Sequence, residues 1–253
     1  MCEDCGCGDP AIVSVPVQQR ILSANDRQAA HNREHFDAHG VLAVDLMGSP
    51  GSGKTALLEA TARLAPGLRL AALSGDLATE NDARRLGAAG IPARSITTGS
   101  ACHLDAAMVH RALHELAWDD ADCLFIENVG NLVCPAIYDL GQRVNVVTLA
   151  VTEGEDKPEK YPVMFRAADL VLLTKVDLLD ALPEVSPDRI REMLARVMPE
   201  PRMLAVSART GEGMDAWLDW LRAVAAPLGA AGAPGRLEER ADPPERVRPV
   251  SRV

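Results

Sequence analysis

Six short apolar runs recur along the chain, and helical stretches separate most of them. The runs lack the polar alternation of a sheet with one face in water, so each strand should be buried on both faces. This pattern predicts an α/β fold, in which helices flank a mostly parallel sheet. The predicted strands are 41–47, 68–74, 121–127, 144–151, 169–175 and 202–207, with 92–97 as a further candidate. The predicted helices are 18–39, 53–65, 79–89, 103–118, 158–167, 187–198 and 213–226.

The chain divides into three segments by pattern. Residues 1–17 show no helical or strand period and begin with a cysteine cluster, so we expect a flexible tail. Residues 18–226 carry an amphipathic helix, in which Leu22, Ala29 and Phe36 recur every seven, followed by the alternating pattern. Residues 227–253 are rich in proline, glycine, alanine and charge, and we predict that they are disordered.

Charge and hydropathy exclude several classes of protein. A net charge of −10 opposes non-specific binding to nucleic acid or to an anionic membrane, because both require a basic surface. No apolar run approaches the length of a membrane span, and the acidic N-terminus is not a secretory signal. We therefore expect a cytoplasmic protein, whose six cysteines are free thiols or metal ligands rather than disulfides.

The segment GSPGSGKT follows a predicted strand and opens a predicted helix. That is the context in which the G-x-x-x-x-G-K-[ST] motif forms a phosphate-binding loop. The glycines let backbone N–H groups crowd around phosphates, Lys54 should reach the terminal phosphates, and the Thr55 hydroxyl should ligate Mg²⁺. The predicted phosphate-binding residues are Gly48, Ser49, Pro50, Gly51, Ser52, Gly53, Lys54 and Thr55.

Two carboxylates stand where predicted strands end, at Asp76 and Glu127. The carboxyl ends of parallel strands face the ligand crevice of α/β folds, so both side chains are candidate partners of Mg²⁺. The alternative is that each carboxylate only caps the segment that follows it. We predict Asp76 and Glu127, together with Lys54 and Thr55, as the catalytic residues.

The nucleotide base is predicted from TKVD at 174–177 and SAR at 207–209. The Asp177 carboxylate would accept hydrogen bonds from guanine N1–H and N2–H₂. Adenine lacks this donor pair and would leave the carboxylate unsatisfied. We therefore predict GTP as the nucleotide. The predicted base-site residues are Lys175, Asp177, Ser207 and Ala208.

Two groups of cysteines are candidate metal ligands. Cys2, Cys5 and Cys7 form a C-x₂-C-x-C cluster that can converge on one soft or borderline ion, although an exposed cysteine-rich tail or a redox pair remains an alternative. Cys102 and His103 directly precede a predicted helix, and Cys134 follows the strand of Glu127. These three are either a second metal site or an ordinary buried cysteine and a helix-starting histidine.

The other cysteine and histidines have simpler interpretations. Cys123 lies inside an apolar strand and is predicted to pack in the core. Two sets of histidines are each predicted to occupy one solvated helix face. The first set is His103, His110 and His114, and the second is His31, His35 and His39.

These segments together resemble the hydrogenase nickel-incorporation GTPase family (HypB), within the metallochaperone P-loop GTPases of the SIMIBI type. The resemblance extends from residue 1 to about residue 226. It rests on the CxxCxC start, SPGSGKT, TGSACHLDA, ENVGNLVCPA, VTEGEDKPEKYP, TKVDLL and SARTGEGMDAW. The chain departs from some relatives because no histidine-rich stretch follows its first cysteines, and the base motif begins with Thr174 instead of asparagine.

The resemblance implies a protein that binds GTP, hydrolyses it slowly, dimerises, and supplies Ni²⁺ to maturing [NiFe]-hydrogenase. It implies a high-affinity nickel site at Cys2, Cys5 and Cys7. It also implies two partners, a zinc-binding hydrogenase accessory protein and the hydrogenase large-subunit precursor, the latter contacted directly or indirectly.

The resemblance also gives a role to five of the candidate residues. Cys102, His103 and Cys134 would bind nickel or zinc near the dimer interface, and Asp76 and Glu127 fall in the segments that sense Mg²⁺ and the γ-phosphate. Because Glu127 and Cys134 flank one short loop, a change at the γ-phosphate could move a metal ligand. Two other hypotheses are a metal buffer or sensor with a structural nucleotide, and a thiol redox protein that uses Cys2 and Cys5.

Overall fold

A seven-stranded parallel sheet forms the centre of the computed structural model, which describes residues 15–76, 81–99 and 101–226. The strands are β1 (Leu42–Gly48), β2 (Leu70–Asp76), β3 (Ala93–Thr97), β4 (Cys123–Glu127), β5 (Val144–Ala150), β6 (Leu170–Thr174) and β7 (Met203–Val206). Their order across the sheet is β3-β2-β4-β1-β5-β6-β7. Every residue of the central strands β1 and β4 is buried, as expected for strands covered on both faces.

Helices cover both faces of this sheet. They are α1 (Val15–His39), α2 (Lys54–Leu64), α3 (Asn81–Ala88), α4 (Ala106–Leu113), α5 (Lys157–Lys160), α6 (Pro162–Ala167), α7 (Pro187–Val197) and α8 (Met214–Ala225). Three short 3₁₀ turns lie at Cys134–Ile137, Val151–Glu153 and Val176–Ala181. On one side Leu57 of α2 and Trp217 of α8 pack in one apolar cluster. A second cluster includes Phe36 of α1 and Val109 of α4.

The predicted α/β fold is confirmed, and all seven predicted strands lie within two residues of the observed ones. Two helix predictions were wrong in extent. The predicted helix 103–118 is only Ala106–Leu113. Its start is set by the Asp105 side chain, which caps it by accepting a hydrogen bond from Met108 N at 2.7 Å. The predicted helix 158–167 is broken at Tyr161, because Pro162 disfavours helical backbone at the residue before it.

Helix α1 is attached to the domain by polar as well as apolar side chains. Asn32 is fully buried, and its side-chain amide donates to the carbonyl oxygens of Ala106 at 2.9 Å and Leu140 at 3.0 Å. Asn25 accepts from the backbone N–H of Ala106 at 2.9 Å. Because a buried polar group without a partner is costly, these bonds fix how α1 crosses the start of α4.

Several predictions fall outside the described residues. The cysteine cluster Cys2, Cys5 and Cys7 and the tail 227–253 are among them, so what was expected of both stays a prediction. Helix α1 begins at Val15, three residues before its predicted start. Within the described ranges, no helix combines the length and the apolar character needed to cross a membrane.

Candidate nucleotide and metal site

The phosphate loop connects the end of β1 to the start of α2. Gly51 and Gly53 have φ angles of 76° and 96°, a left-handed conformation that side chains disfavour. A Cβ at Gly48 would lie 2.4 Å from the Thr148 hydroxyl oxygen, so the loop also needs glycine for space. The Lys54 ammonium group donates to the carbonyl oxygens of Gly48 and Ser49, both at 3.2 Å. The lysine of the loop therefore bonds to the backbone of the loop itself.

Neighbouring strands hold this loop in place. The hydroxyl oxygens of Ser52 and Thr148 lie 2.7 Å apart, and the Thr174 hydroxyl donates to the Ser52 carbonyl at 2.6 Å. The Ser49 hydroxyl oxygen is buried and has no hydrogen-bond partner among the described residues. Because a buried polar atom without a partner costs free energy, the Ser49 hydroxyl is suited to donate a hydrogen bond to a ligand such as a phosphate.

A hydroxyl and two carboxylates meet at the start of α2. The Thr55 hydroxyl oxygen lies 2.9 Å from Glu127 Oε1 and 3.0 Å from Asp82 Oδ1, although it has only one proton to donate. Glu127 Oε2 is buried without a partner in the described part of the chain. Burial raises the pKa of Glu127 to about 7, against the opposing effects of Lys54 and Thr55. Oxygen ligands of this kind are those that Mg²⁺ prefers, so the residues fit that ion.

Asp82 is a site residue that sequence reasoning missed. It lies in the first turn of α3, a helix that had been predicted without any role for its side chains. Asp76, which had been predicted, is half-buried at the end of β2. In the sheet register Ser74 is level with Glu127, so Asp76 lies two residues further toward the same edge. The role of Asp76 stays a prediction, because residues 77–80, which link it to α3, are outside the described ranges.

A pocket of about 240 Å³ adjoins the phosphate loop at Gly53 and is lined by Lys175, Asp177 and Ala208, among others. The Ser207 hydroxyl donates to Asp177 Oδ1 at 2.6 Å, which orients the carboxylate. Lys175 has a φ angle of 59°, the only positive value at a non-glycine residue in the described ranges. Such a conformation costs about 1 kcal/mol or more, and strain of this kind tends to concentrate at functional sites. The structure thus brings the four predicted base-site residues together.

Cys102, His103 and Cys134 also come together. The two sulfurs are 3.2 Å apart, and Cys102 Sγ lies 3.9 Å from His103 Nδ1. One ligand atom of each residue lies within 4.8 Å of the other two. The His103 ring stacks on Tyr138 with ring centroids 3.9 Å apart. Burial lowers the pKa of His103, which favours the neutral imidazole that can ligate a metal. Their role as metal ligands stays a prediction.

Asn131 connects this cluster to the phosphate loop. Its backbone pairs with Gly48 as an isolated antiparallel bridge. Its side-chain amide donates to the Cys102 carbonyl at 3.3 Å, and its side-chain oxygen accepts from Val133 N at 3.0 Å. The preceding residue, Gly130, packs so closely on the loop that an added Cβ would lie 2.7 Å from Pro50 Cγ. The segment 128–134 therefore contacts the nucleotide site and both cysteine segments.

A buried amide–carboxylate pair forms a second connection. The Asn128 side-chain amide donates to Asp45 Oδ1 at 3.2 Å, and its oxygen accepts from Leu104 N at 3.3 Å and Val129 N at 3.0 Å. Burial raises the pKa of Asp45 to about 7. Asn128 thus ties β1 to the residue that follows His103, a connection that was not predicted.

The prediction for the remaining cysteine is confirmed, and the predictions for the histidines need correction. Cys123 is fully buried, and burial raises the pKa of its thiol to about 12, as suits core packing. The prediction that His103 shares a helix face with His110 and His114 was wrong, because His103 precedes the first residue of α4. The two histidine sets are also not separate, since His31 and His35 lie beside His110.

Curated proteins and solved structures similar to this chain include several hydrogenase maturation factors. The HypB proteins of Cupriavidus necator and Rhizobium leguminosarum bv. viciae are 45% and 52% identical to it. These matches cover 93% and 84% of this chain, and 79% and 71% of the relatives. HypB from Helicobacter pylori, crystallised in complex with nickel, has a TM-score of 0.77 at 38% identity, with 80% of this chain and 95% of that chain covered.

A second solved structure and a family profile agree with these relatives. Hydrogenase maturation factor HypB from Archaeoglobus fulgidus has a TM-score of 0.74 at 39% identity, with 81% of this chain and 100% of that chain covered. The profile of the CobW/HypB/UreG nucleotide-binding domain matches residues 42–204, which include the phosphate loop, the base-site TKVD and all three residues of the cysteine–histidine cluster. The chain therefore belongs to the CobW/HypB/UreG family of nucleotide-binding proteins.

Proposed function

We propose that this chain is a GTP-hydrolysing nickel metallochaperone, which supplies Ni²⁺ during the maturation of [NiFe]-hydrogenase. The observation that carries the proposal is Asn131, which contacts the phosphate loop through its backbone and the metal-ligand cluster through its side chain. The relatives named above are hydrogenase maturation factors, and one of them was crystallised with nickel. Nucleotide and metal are thus expected to bind at two ends of one short segment.

The chain's own residues would bind GTP in three places. Backbone N–H groups of the phosphate loop donate to the phosphates, and Lys54 leaves the carbonyl oxygens of Gly48 and Ser49 to reach the terminal phosphates. Asp177, oriented by Ser207, accepts from the guanine N–H groups. An adenine in this pocket would leave the carboxylate without its donors, which selects GTP over ATP.

Thr55, Asp82 and Glu127, with Asp76 as the further predicted ligand, would hold Mg²⁺. When bound, this ion neutralises negative charge on the phosphates. The pKa of Glu127 is raised to about 7 by burial, so the carboxyl must release its proton to act as an anionic ligand. Lys54 would stabilise the charge that develops as the γ-phosphoryl group passes to water.

A slow turnover would fit the distribution of glutamine. The sequence contains four glutamines, and glutamine is a residue that orients the attacking water in faster GTPases. Gln28 donates to Asn32 and Gln142 donates to Asn145, and both are held by α1 or by the turn before β5. Gln18 and Gln19 lie in the first turns of α1. A slow GTPase is suited to act as a timer rather than as a metabolic enzyme.

The nucleotide state would act on the metal through residues 128–134. A γ-phosphate and Mg²⁺ would attract Lys54, Thr55 and Glu127. Lys54 bonds to the carbonyl of Gly48, which pairs with Asn131, and Glu127 directly precedes residues 128–134. Movement there shifts Asn131 and with it the backbone of Cys102. GTP-dependent dimerisation would complete the site from two subunits, and hydrolysis would loosen it. Because coupling is reciprocal, bound metal must also change nucleotide affinity.

The cargo and partners follow the same proposal. Cys102, His103 and Cys134 would take Ni²⁺ or Zn²⁺, and Cys2, Cys5 and Cys7 would form a separate nickel site. The partners would be a second copy of the chain, a zinc-binding hydrogenase accessory protein and the hydrogenase large-subunit precursor. The protein would act in the cytoplasm.

The test is Ni²⁺ affinity with GDP and with a non-hydrolysable GTP analogue. It uses a variant in which Cys2, Cys5 and Cys7 are changed to alanine, so that only the inner cluster reports. We expect different affinities in the two nucleotide states, and loss of that difference when Cys134→Ser is added. Equal affinities in both states would overturn the coupling. GTP turnover that is insensitive to Lys54→Ala would instead favour a metal buffer with a structural nucleotide.

A further inference from the structure

Three histidines from two helices converge on one point of the surface. His31 and His35 lie one turn apart on α1, and His110 lies on α4. The Nε2 atoms of His31 and His35 are 3.2 Å apart. The ring of His110 lies 5.1 Å from that of His31 and 5.8 Å from that of His35, measured between centroids. One ring nitrogen of each residue lies within 4.8 Å of the other two.

The spacing fits ligands of one metal ion. Imidazole nitrogens bind zinc at about 2.0–2.1 Å, which places two ligands of a tetrahedral ion about 3.4 Å apart. The observed 3.2 Å between the two Nε2 atoms is close to that value. His31 Nδ1, on the other side of its ring, lies 3.9 Å from a Glu34 carboxylate oxygen, which is too far for the hydrogen bond that would fix the tautomer.

One ring nitrogen of His110 lacks a hydrogen-bond partner in the described part of the chain. This atom, Nδ1, is buried. If these histidines only formed a solvated helix face, each ring nitrogen would be expected to bond to water or to another polar group. A buried nitrogen without a partner does not fit that interpretation.

The two helices are positioned by contacts that do not involve these histidines. Asn32, which lies between His31 and His35 on α1, bonds to the Ala106 carbonyl at the start of α4. One turn further along α1, Phe36 packs edge-on against Trp118 with ring centroids 5.5 Å apart. These contacts fix the positions of the two helices before a metal binds. The ligands therefore lose little conformational entropy on binding, which favours affinity.

We propose that His31, His35 and His110 form a metal site that binds a borderline divalent cation such as Zn²⁺ or Ni²⁺ through three imidazole nitrogens. Imidazole ligands suit both ions. His114, whose exposed ring lies 4.9 Å from that of His110, is placed to supply a fourth ligand, and water would fill any remaining position. The site goes beyond the proposed function, because it is built from α1 and α4 without either cysteine segment.

The first experiment removes the five cysteines that are candidate metal ligands. The full chain carries Cys2→Ser, Cys5→Ser, Cys7→Ser, Cys102→Ser and Cys134→Ser, and Zn²⁺ and Ni²⁺ binding are measured by equilibrium dialysis with metal quantification. We expect about one equivalent of bound metal, and Co²⁺ in its place should give a spectrum without thiolate charge transfer. Adding His31→Gln and His35→Gln should weaken binding by at least about 100-fold. The matched control is His39→Gln, at an exposed histidine of the same helix outside the cluster.

The outcomes that would overturn the site are distinct. Absence of metal from the five-serine chain would do so, as would equal weakening by His39→Gln. If the five-serine chain does not fold, the test is made in the wild-type chain, where His31→Gln with His35→Gln should remove one equivalent of Zn²⁺. Unchanged stoichiometry there would overturn the proposal. GTP turnover should be unaffected by the histidine changes, so failure of this site is distinguishable from failure of the proposed function.

Discussion

Asn131 pairs with Gly48 of the phosphate loop through its backbone, and the same residue bonds to Cys102 through its side chain. The oxygen of its side chain accepts from Val133 N, one residue before Cys134. One asparagine thus contacts the nucleotide loop and the segments of both cysteine ligands. Because it supplies these links without being a ligand itself, it can be tested as a positioning residue.

Asn131→Asp is expected to uncouple nucleotide from metal. Aspartate keeps an acceptor for Val133 N and removes the donor to the Cys102 carbonyl, and one hydrogen bond is worth about 1 kcal/mol. The ratio of Ni²⁺ affinities with GDP and with a GTP analogue should shrink about 5-fold, while GTP affinity stays near wild type. The ratio is measured by titration in each nucleotide state.

The control for that change is Asn145→Asp. Asn145 donates its side-chain amide to the Ala167 carbonyl at 3.1 Å, at the end of β5 away from the phosphate loop. It should lower stability without changing the affinity ratio. If Asn131→Asp keeps the full ratio, the coupling does not pass through Asn131.

Gly130→Ala is expected to weaken GTP binding through the phosphate loop. The new Cβ would lie 2.7 Å from Pro50 Cγ and 2.8 Å from Pro50 N, so the loop or residues 128–134 must move. We expect the dissociation constant for GTP to rise about 10-fold, since such a shift corresponds to about 1.4 kcal/mol. Gly67→Ala, where no atom lies within 4 Å of the added Cβ, is the control. Equal effects of the two changes would contradict a specific contact.

Asp177→Asn is expected to remove the selection for guanine. The amide would keep one acceptor oxygen but present an N–H group to the other guanine donor, replacing one of the two acceptor contacts with a repulsive one. GTP affinity should fall about 100-fold, and Ser207→Ala, which removes the 2.6 Å bond that orients Asp177, should cost about 5-fold. Competition with fluorescent GDP measures both. Asp180→Asn, at an exposed carboxylate one turn later, should leave GTP affinity unchanged. If this variant also loses GTP binding, the substitutions damage the domain in general.

Local patterns in the sequence predicted the strands and the motif residues. Each strand is a continuous apolar run because it is covered on both faces, and that signal is contained in the run itself. The phosphate loop and the base site are likewise short segments whose chemistry depends on adjacent residues. Cys102 and His103 next to a helix, and Cys134 after β4, were placed by the same reasoning.

Contacts between distant segments were not predictable in this way. Asn131 and Asn128 matter because of what they touch across the sheet edge, and an asparagine in a loop has many ordinary uses. Helix α1 was recognised by its apolar residues, but Asn32 provides much of its attachment. The proximity of His31 to His110 depends on that attachment, which no spacing along the chain reveals. Asp82 was missed for the same reason, since its bond to Thr55 joins different helices.

The buried carboxyl of Asp45 gives a last prediction, on stability and pH. Burial raises its pKa from 3.8 to about 7, with the Asn128 amide opposing that shift. Between these values the folded chain holds a proton that the unfolded chain has released. The free energy of unfolding therefore falls as pH rises through this window, by about 1.4 kcal/mol per pH unit for one proton. Above pH 7 this loss levels off, because both states are then ionised.

Asp45→Asn should flatten that decline in stability. Urea unfolding is measured without nucleotide or metal from pH 5 to pH 8. The free energy of unfolding of the variant should rise relative to that of the wild type as pH increases. Glu127, whose pKa is also raised to about 7 by burial, and Asp169, whose pKa is likewise raised by burial, contribute in the same direction. Part of the slope therefore remains in Asp45→Asn and is reduced further when Glu127→Gln is added. Asp37→Asn, at an exposed carboxylate of α1, is the control and should leave the slope unchanged. An Asp45→Asn chain with the wild-type slope would mean that Asp45 is ionised in the folded protein across this range, with the Asn128 amide and its surroundings compensating for burial.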